Sequence, residues 1–145
     1  MSSESPNTPT AATRVVLAED NATMRRSLRM VLETEPDIEV VAEASDLAGA
    51  LVQVMFAGPR VLVLDLRMPG GSSIELIEHM RAEHPETEIV VVTMLDGPAF
   101  ARRVREVGAK GFVVKDSADA ELADAVRLAA RGLDYTSPQV APGLA

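Results

Sequence analysis

The sequence predicts an α/β fold: a doubly wound parallel sheet of five strands, in the order 2-1-3-4-5, with helices on both faces. Three observations carry this expectation. Short apolar runs alternate with amphipathic stretches five times between residues 14 and 133. The runs hold almost no polar residue, as strands buried on both faces require. Each amphipathic stretch is opened by a capping side chain or closed by glycine or proline.

The elements follow in order. Arg14-Val15-Val16-Leu17-Ala18 reads as the first strand. Asn21 can cap the next helix, where Met24, Leu28, Val31 and Leu32 share a face and Pro36 ends the run. Ile38 to Ala42 is a second strand. Leu47, Ala50, Leu51, Val54 and Met55 repeat the helical stripe, and Gly58-Pro59 stops it. Val61 to Leu64 is a third strand. Ser72 or Ser73 can cap a helix bearing Ile74, Ile77 and Met80. Ile89 to Val92 is a fourth strand, and Phe100, Val104 and Val107 mark a helix closed by Gly108. Leu95-Asp96-Gly97-Pro98 is rich in breakers, so this helix is expected to start late and to be mobile. Phe112-Val113-Val114 is the fifth strand. Ser117 opens a last helix with Leu122, Ala125, Val126, Ala129 and Leu133 on one side. The strand order is the flavodoxin-like one.

Composition bounds the function. The 145 residues are 47% hydrophobic, which suits one globular domain. Residues 1–13, rich in Ser, Thr and Pro, read as a disordered tail. Residues 14–133 read as the domain, and 134–145 as the start of a linker or a frayed end. No run approaches the ~20 apolar residues that span a bilayer, and no secretory leader is visible. Cysteine is absent, which excludes disulfides and thiolate metal sites and makes the cytoplasm the expected compartment. A net charge of −8, no Trp and one Tyr make the chain a poor nucleic-acid binder by itself.

In such sheets ligands bind beyond the carboxyl ends of the strands, beside the switch point between strands one and three. Strand one ends in Glu19-Asp20, strand three in Asp65, strand four in Thr93 and strand five in Lys115. Three carboxylates held together repel, so one pKa should rise unless a cation relieves the site. The oxygen donors suit Mg²⁺, and no His or Cys favours zinc there. His79 and His84 read as surface residues. Asp65 is the candidate nucleophile, forming an acyl phosphate. Lys115 would supply positive charge and Thr93 a hydroxyl donor, since phosphoryl transfer chiefly needs positioning and charge stabilisation. Taken singly, each residue also suits a turn or a helix cap. Their joint placement is what favours chemistry.

Those residues carry a resemblance. Leu17-Ala18-Glu19-Asp20-Asn21, Val63-Leu64-Asp65-Leu66-Arg67-Met68-Pro69-Gly70, Val92-Thr93 and Gly108-Ala109-Lys110-Gly111-Phe112-Val113-Val114-Lys115-Asp116 resemble the receiver domain of bacterial two-component response regulators. The segment around Lys115 and Tyr135-Thr136-Ser137-Pro138 resemble the NarL/FixJ subgroup, whose members usually carry a LuxR-type helix-turn-helix that binds DNA. The resemblance implies that Asp65 accepts phosphate from a phosphohistidine of a sensor histidine kinase. It implies Mg²⁺ on Glu19, Asp20, Asp65 and the Arg67 backbone carbonyl, with Lys115 and Thr93 contacting the phosphoryl group. Phe112 would be the aromatic switch, turning inward on activation. A homodimer through the fourth helix, fifth strand and fifth helix would follow, with DNA bound only by a separate output domain. The protein would not be an enzyme beyond its own phosphorylation and dephosphorylation.

Some positions depart from the family. Gly71-Ser72-Ser73 replaces the usual acidic residue and glycine, which bears on loop geometry. Met94 stands where a small residue is common, and would hinder water reaching the phosphoryl group. Phe112 lacks the hydroxyl of the more usual Tyr. No Pro follows Lys115, so a trans peptide is expected there. Arg25, Arg26 and Arg29 form a basic face on the first helix, either solvated or meeting an acidic partner. Arg102, Arg103 and Arg105 could pair between subunits with Asp119, Glu121 or Asp124. Two alternatives share some of these features: a small Mg²⁺-dependent phosphohydrolase, and a stand-alone receiver acting by protein binding. The first is disfavoured because the nucleophile follows strand three and Arg67 stands where an acid catalyst would be needed.

Overall fold

The computed structural model describes residues 11–94 and 97–140. Five strands, β1 (Thr13–Ala18), β2 (Ile38–Ala44), β3 (Val61–Asp65), β4 (Glu88–Thr93) and β5 (Gly111–Val114), alternate with five helices. These are α1 (Ala22–Glu33), α2 (Leu47–Ala57), α3 (Ser73–Glu83), α4 (Pro98–Glu106) and α5 (Ala118–Ala130). All strands pair in parallel, in the order β2-β1-β3-β4-β5, as the apolar runs require. A sixth strand, β6 (Tyr135–Thr136), adds to the outer edge of β5.

The side-chain alternation of the strands feeds two cores. Val15, Leu17, Val61, Val63, Val90 and Val113 pack against Leu28 and Leu32 of α1 and Leu122, Val126 and Ala129 of α5. Val16, Leu62, Leu64, Val91 and Phe112 pack on the other face against α2, α3 and α4. Local signals set the helix ends. Asn21 accepts the Met24 N–H, Asp46 the Gly49 N–H and Ser72 the Glu75 N–H. Ser72, not Ser73, is thus the cap of α3. Gly108 follows α4 at φ 114°, and a Cβ there would lie 2.6 Å from Arg81 Cγ, so only glycine fits. Pro98 is the first residue of α4, while Leu95 and Asp96 lie outside the described residues. Every peptide bond described is trans, including the one after Lys115.

Three expectations change. The frayed end read over 134–145 is ordered in its first half: residues 135–140 form a strap along β5, and Val140 is buried in the α2-α3-α4 core. Residues 141–145 lie outside the described set, as does the tail apart from residues 11–13, of which Thr13 opens β1. The basic face of α1 is largely paired within the chain: Arg25 and Arg29 both meet Glu43, and Arg29 also meets Glu33. Two of the acids expected to pair between subunits also have internal partners. Glu121 accepts from Tyr135 and Ser137, and Asp124 pairs with Arg127. No described helix is long and apolar enough to cross a membrane.

Candidate functional site

The carboxyl ends of β1, β3, β4 and β5 bring the sequence-derived residues to one edge. Glu19 follows β1, is 1% exposed, and turns Oε2 toward the Asn21 N–H at 3.0 Å. Asp20 beside it is exposed. Asp65, 4% exposed, ends β3 and accepts the Arg67 N–H on Oδ1 at 3.0 Å. Oxygens of Glu19, Asp20 and Asp65 all lie within 4.8 Å of one another. Lys115 Nζ stands 2.6 Å from Glu19 Oε1 and 3.2 Å from Asp65 Oδ2. Thr93 is fully buried at the end of β4, opposite Val114 in the ladder.

The charges explain one another. Burial pushes the Glu19 carboxyl above the usual carboxylate range, and the charge of Asp65 adds to this, while the Lys115 hydrogen bond opposes it. The rise expected from acid crowding is present, but burial is its main cause and the neighbouring carboxylate a lesser one. Burial alone would lower the lysine. Its hydrogen bond to Glu19 and the charge of Asp65 outweigh that and hold Lys115 above its ordinary value, hence cationic. The site is therefore a half-buried lysine paired with Glu19 and Asp65, with the third acid, Asp20, on the exposed side.

The family of this arrangement is decided by its residues together with their order in the chain. Residues 15–127 match the family described as "Response regulator receiver domain". The chain belongs to that family.

The receiver domain has close relatives. The oxygen regulatory protein NreC of Staphylococcus carnosus is 36% identical over 132 residues, covering 90% of this chain and 61% of that protein. The receiver thus spans about three fifths of the length of that relative. A LuxR-family two-component response regulator from Aurantimonas sp. SI85-9A1 superposes with a TM-score of 0.87 at 34% identity, over 92% of this chain and 96% of that one. The signal receiver domain of NarL from Mycobacterium tuberculosis gives 0.80 at 32% identity, over 85% and 99%. These relatives agree with a NarL/FixJ-type receiver, and they are regulators by name.

The structure also gives Arg25 and Ser73 roles that the sequence does not show. Arg25 reaches from α1 to donate to the Glu19 backbone carbonyl at 2.7 Å, so it braces the loop that carries the acid pair. Ser73 is buried and donates to the Leu66 carbonyl at 2.7 Å, tying the β3–α3 loop behind Asp65. Phe112 is 3% exposed and packs with Ala101 and Val104 of α4. Met94 is 59% exposed at the end of β4. His79 and His84 stand edge to face on α3 and its end, away from the acids.

Proposed function

We propose that this receiver accepts a phosphoryl group on Asp65 from the phosphohistidine of a sensor histidine kinase in the cytoplasm. The observation that carries the reading is the contact of Lys115 with both Glu19 and Asp65 at the carboxyl edge of the sheet. An oxygen of Asp65 forms the bond to phosphorus while the bond from phosphorus to the donor's imidazole nitrogen breaks. The Arg67 N–H on Oδ1 fixes the carboxylate plane. Lys115 faces the negative charge that the transferred group brings, and the Thr93 hydroxyl donates to one of its oxygens.

The donor set fits a hard divalent ion, since Glu19, Asp20 and Asp65 offer only oxygens, within 4.8 Å of one another. Glu19, Asp20, Asp65 and the Arg67 carbonyl would hold Mg²⁺. When bound, that ion neutralises charge on the phosphoryl oxygens. The domain thereby promotes only its own phosphorylation and dephosphorylation.

The output follows from the same reading. Phosphorylation alters the face of α4, β5 and α5 and favours a homodimer there, using helix surfaces and the strap because β6 already covers the edge of β5. Phe112 contributes by repacking from its buried position. The regulated event is transcription, through a separate helix-turn-helix DNA-binding domain.

The test is labelling by acetyl phosphate with Mg²⁺, comparing the wild type with Asp65→Asn. Wild type alone should take up label. Equal labelling of both would overturn the assignment.

A further inference from the structure

Residues of the strap grip the turn that carries Lys115. That turn is a single 3-10 turn, Lys115–Ser117, between β5 and α5. β5 has four residues, and among the described residues its outer edge is covered by the strap. Tyr135 and Thr136 pair with Gly111 and Phe112, and the Ser137 N–H then donates to the Phe112 carbonyl at 2.8 Å. The Ser137 carbonyl, which would accept the next rung, instead accepts the Val140 N–H at 2.9 Å as the chain turns, so the ladder stops there. The next strap-side donor of β5 is the Val114 N–H, and the Ser137 Oγ accepts it at 2.9 Å. A side chain thus replaces the missing rung.

The same hydroxyl donates to Glu121 Oε1 in the first turn of α5, at 2.6 Å. Gln139 Nε2 donates to Ser117 Oγ at 3.1 Å. The strap therefore holds the lysine turn on both sides, at Val114 before it and at Ser117 and Glu121 after it. Ser137 is fully buried, so this bond does not exchange with water at the surface.

We propose that Ser137 is a positioning residue for Lys115: docking of residues 135–140 sets how the lysine reaches Asp65. The inference rests on Asp65 as the phosphoacceptor. Lys115 is bonded directly to Val114, and its ammonium must sit between two carboxylates at 2.6 and 3.2 Å. A displacement of about 1 Å at that backbone is enough to slow a positioned reaction many-fold.

The experiment compares wild type, Ser137→Ala and Gln139→Ala by acetyl-phosphate labelling at saturating Mg²⁺, and by the NMR signals of the Lys115 side chain without phosphorylation. Ser137→Ala should lower the maximal labelling rate on the order of tenfold, leave half-saturation by acetyl phosphate unmoved, and shift the Lys115 signals. A folded Ser137→Ala that labels within about twofold of wild type, or whose Lys115 signals superimpose on wild type, overturns the proposal. Should Ser137→Ala not fold, Gln139→Ala, at an exposed position, decides. It should slow labelling about threefold and move the same signals, and no change in either overturns the proposal. A wild type that takes no label sinks the phosphoacceptor reading instead, and the Lys115 signals then still decide whether the strap positions the lysine.

Discussion

Lys115 Nζ lies closer to Glu19 Oε1, at 2.6 Å, than to Asp65 Oδ2, at 3.2 Å. The resting lysine is thus chiefly the counter-ion of the most buried acid, leaving Asp65 the looser partner. Removing one member of a buried pair leaves an uncompensated charge. Lys115→Met keeps the packing volume and should lower stability by about 3 kcal/mol in urea unfolding without Mg²⁺. Added Mg²⁺ should raise the midpoint of the variant more than that of wild type, because it restores positive charge to three acids. An unchanged midpoint would show that the lysine is not what balances the site.

Arg25 makes a second prediction with its own control. Arg25 and Arg29 both pair with Glu43, but only Arg25 reaches the Glu19 carbonyl. Arg25→Ala should weaken Mg²⁺ binding on the order of tenfold by loosening the loop that holds Glu19 and Asp20. Arg29→Ala should leave it within about twofold. Calorimetric titration with Mg²⁺ separates the two, and equal losses would assign the effect to Glu43.

The five apolar runs, the caps at Asn21 and Ser72 and the breaks at Gly58 and Gly108 are local signals, and each is found where expected. The acids and Lys115 were legible because each ends a strand, so sheet topology alone brings them together. Arg25 belongs to a basic run that suits either a solvated face or an acidic partner, because its bond to the Glu19 carbonyl depends on how the β1–α1 loop turns back. β6 has two residues and no periodicity, and Ser137-Pro138 reads as loop by composition. Its bond to Val114 spans 23 residues and exists only once β5 and α5 are in place. The burial of Phe112 was legible in its apolar run, but its packing with Ala101 and Val104 of α4 is a tertiary contact that the run does not encode.

Tyr135 offers a direct reading of the strap, since it is the only tyrosine and there is no tryptophan. Burial, then the hydrogen bond to Glu121, pushes its phenol up to about 12. The fold favours the neutral phenol. Its contribution to stability is therefore full below the ordinary tyrosine value of about 10 and is lost as pH rises through about 12. Tyrosinate absorbance should titrate with a midpoint near 12 in the native domain. A midpoint near the ordinary value, in a protein still folded by circular dichroism, would show that the strap is not docked.

Arg127 ties α5 to the loop between α1 and β2, pairing with Asp37 at 2.8 Å, with Glu35, and with Asp124 on its own helix at 3.0 Å. The arginine hydrogen bond holds the Asp37 carboxyl below the usual range. Stability from a depressed carboxylate is present above its unfolded pKa of about 3.9 and is lost as pH falls through the lower, folded value. The Asp37 side chain is 48% exposed, so solvent screens the pair. Arg127→Met should therefore cost under about 1 kcal/mol at neutral pH and low salt, less at high salt, and progressively less as acid protonates Asp37. Urea midpoints of the two proteins across that acid range measure it. A gap that stayed constant with both pH and salt would assign the loss to the packing of the arginine's alkyl chain between the helices, with charge contributing nothing.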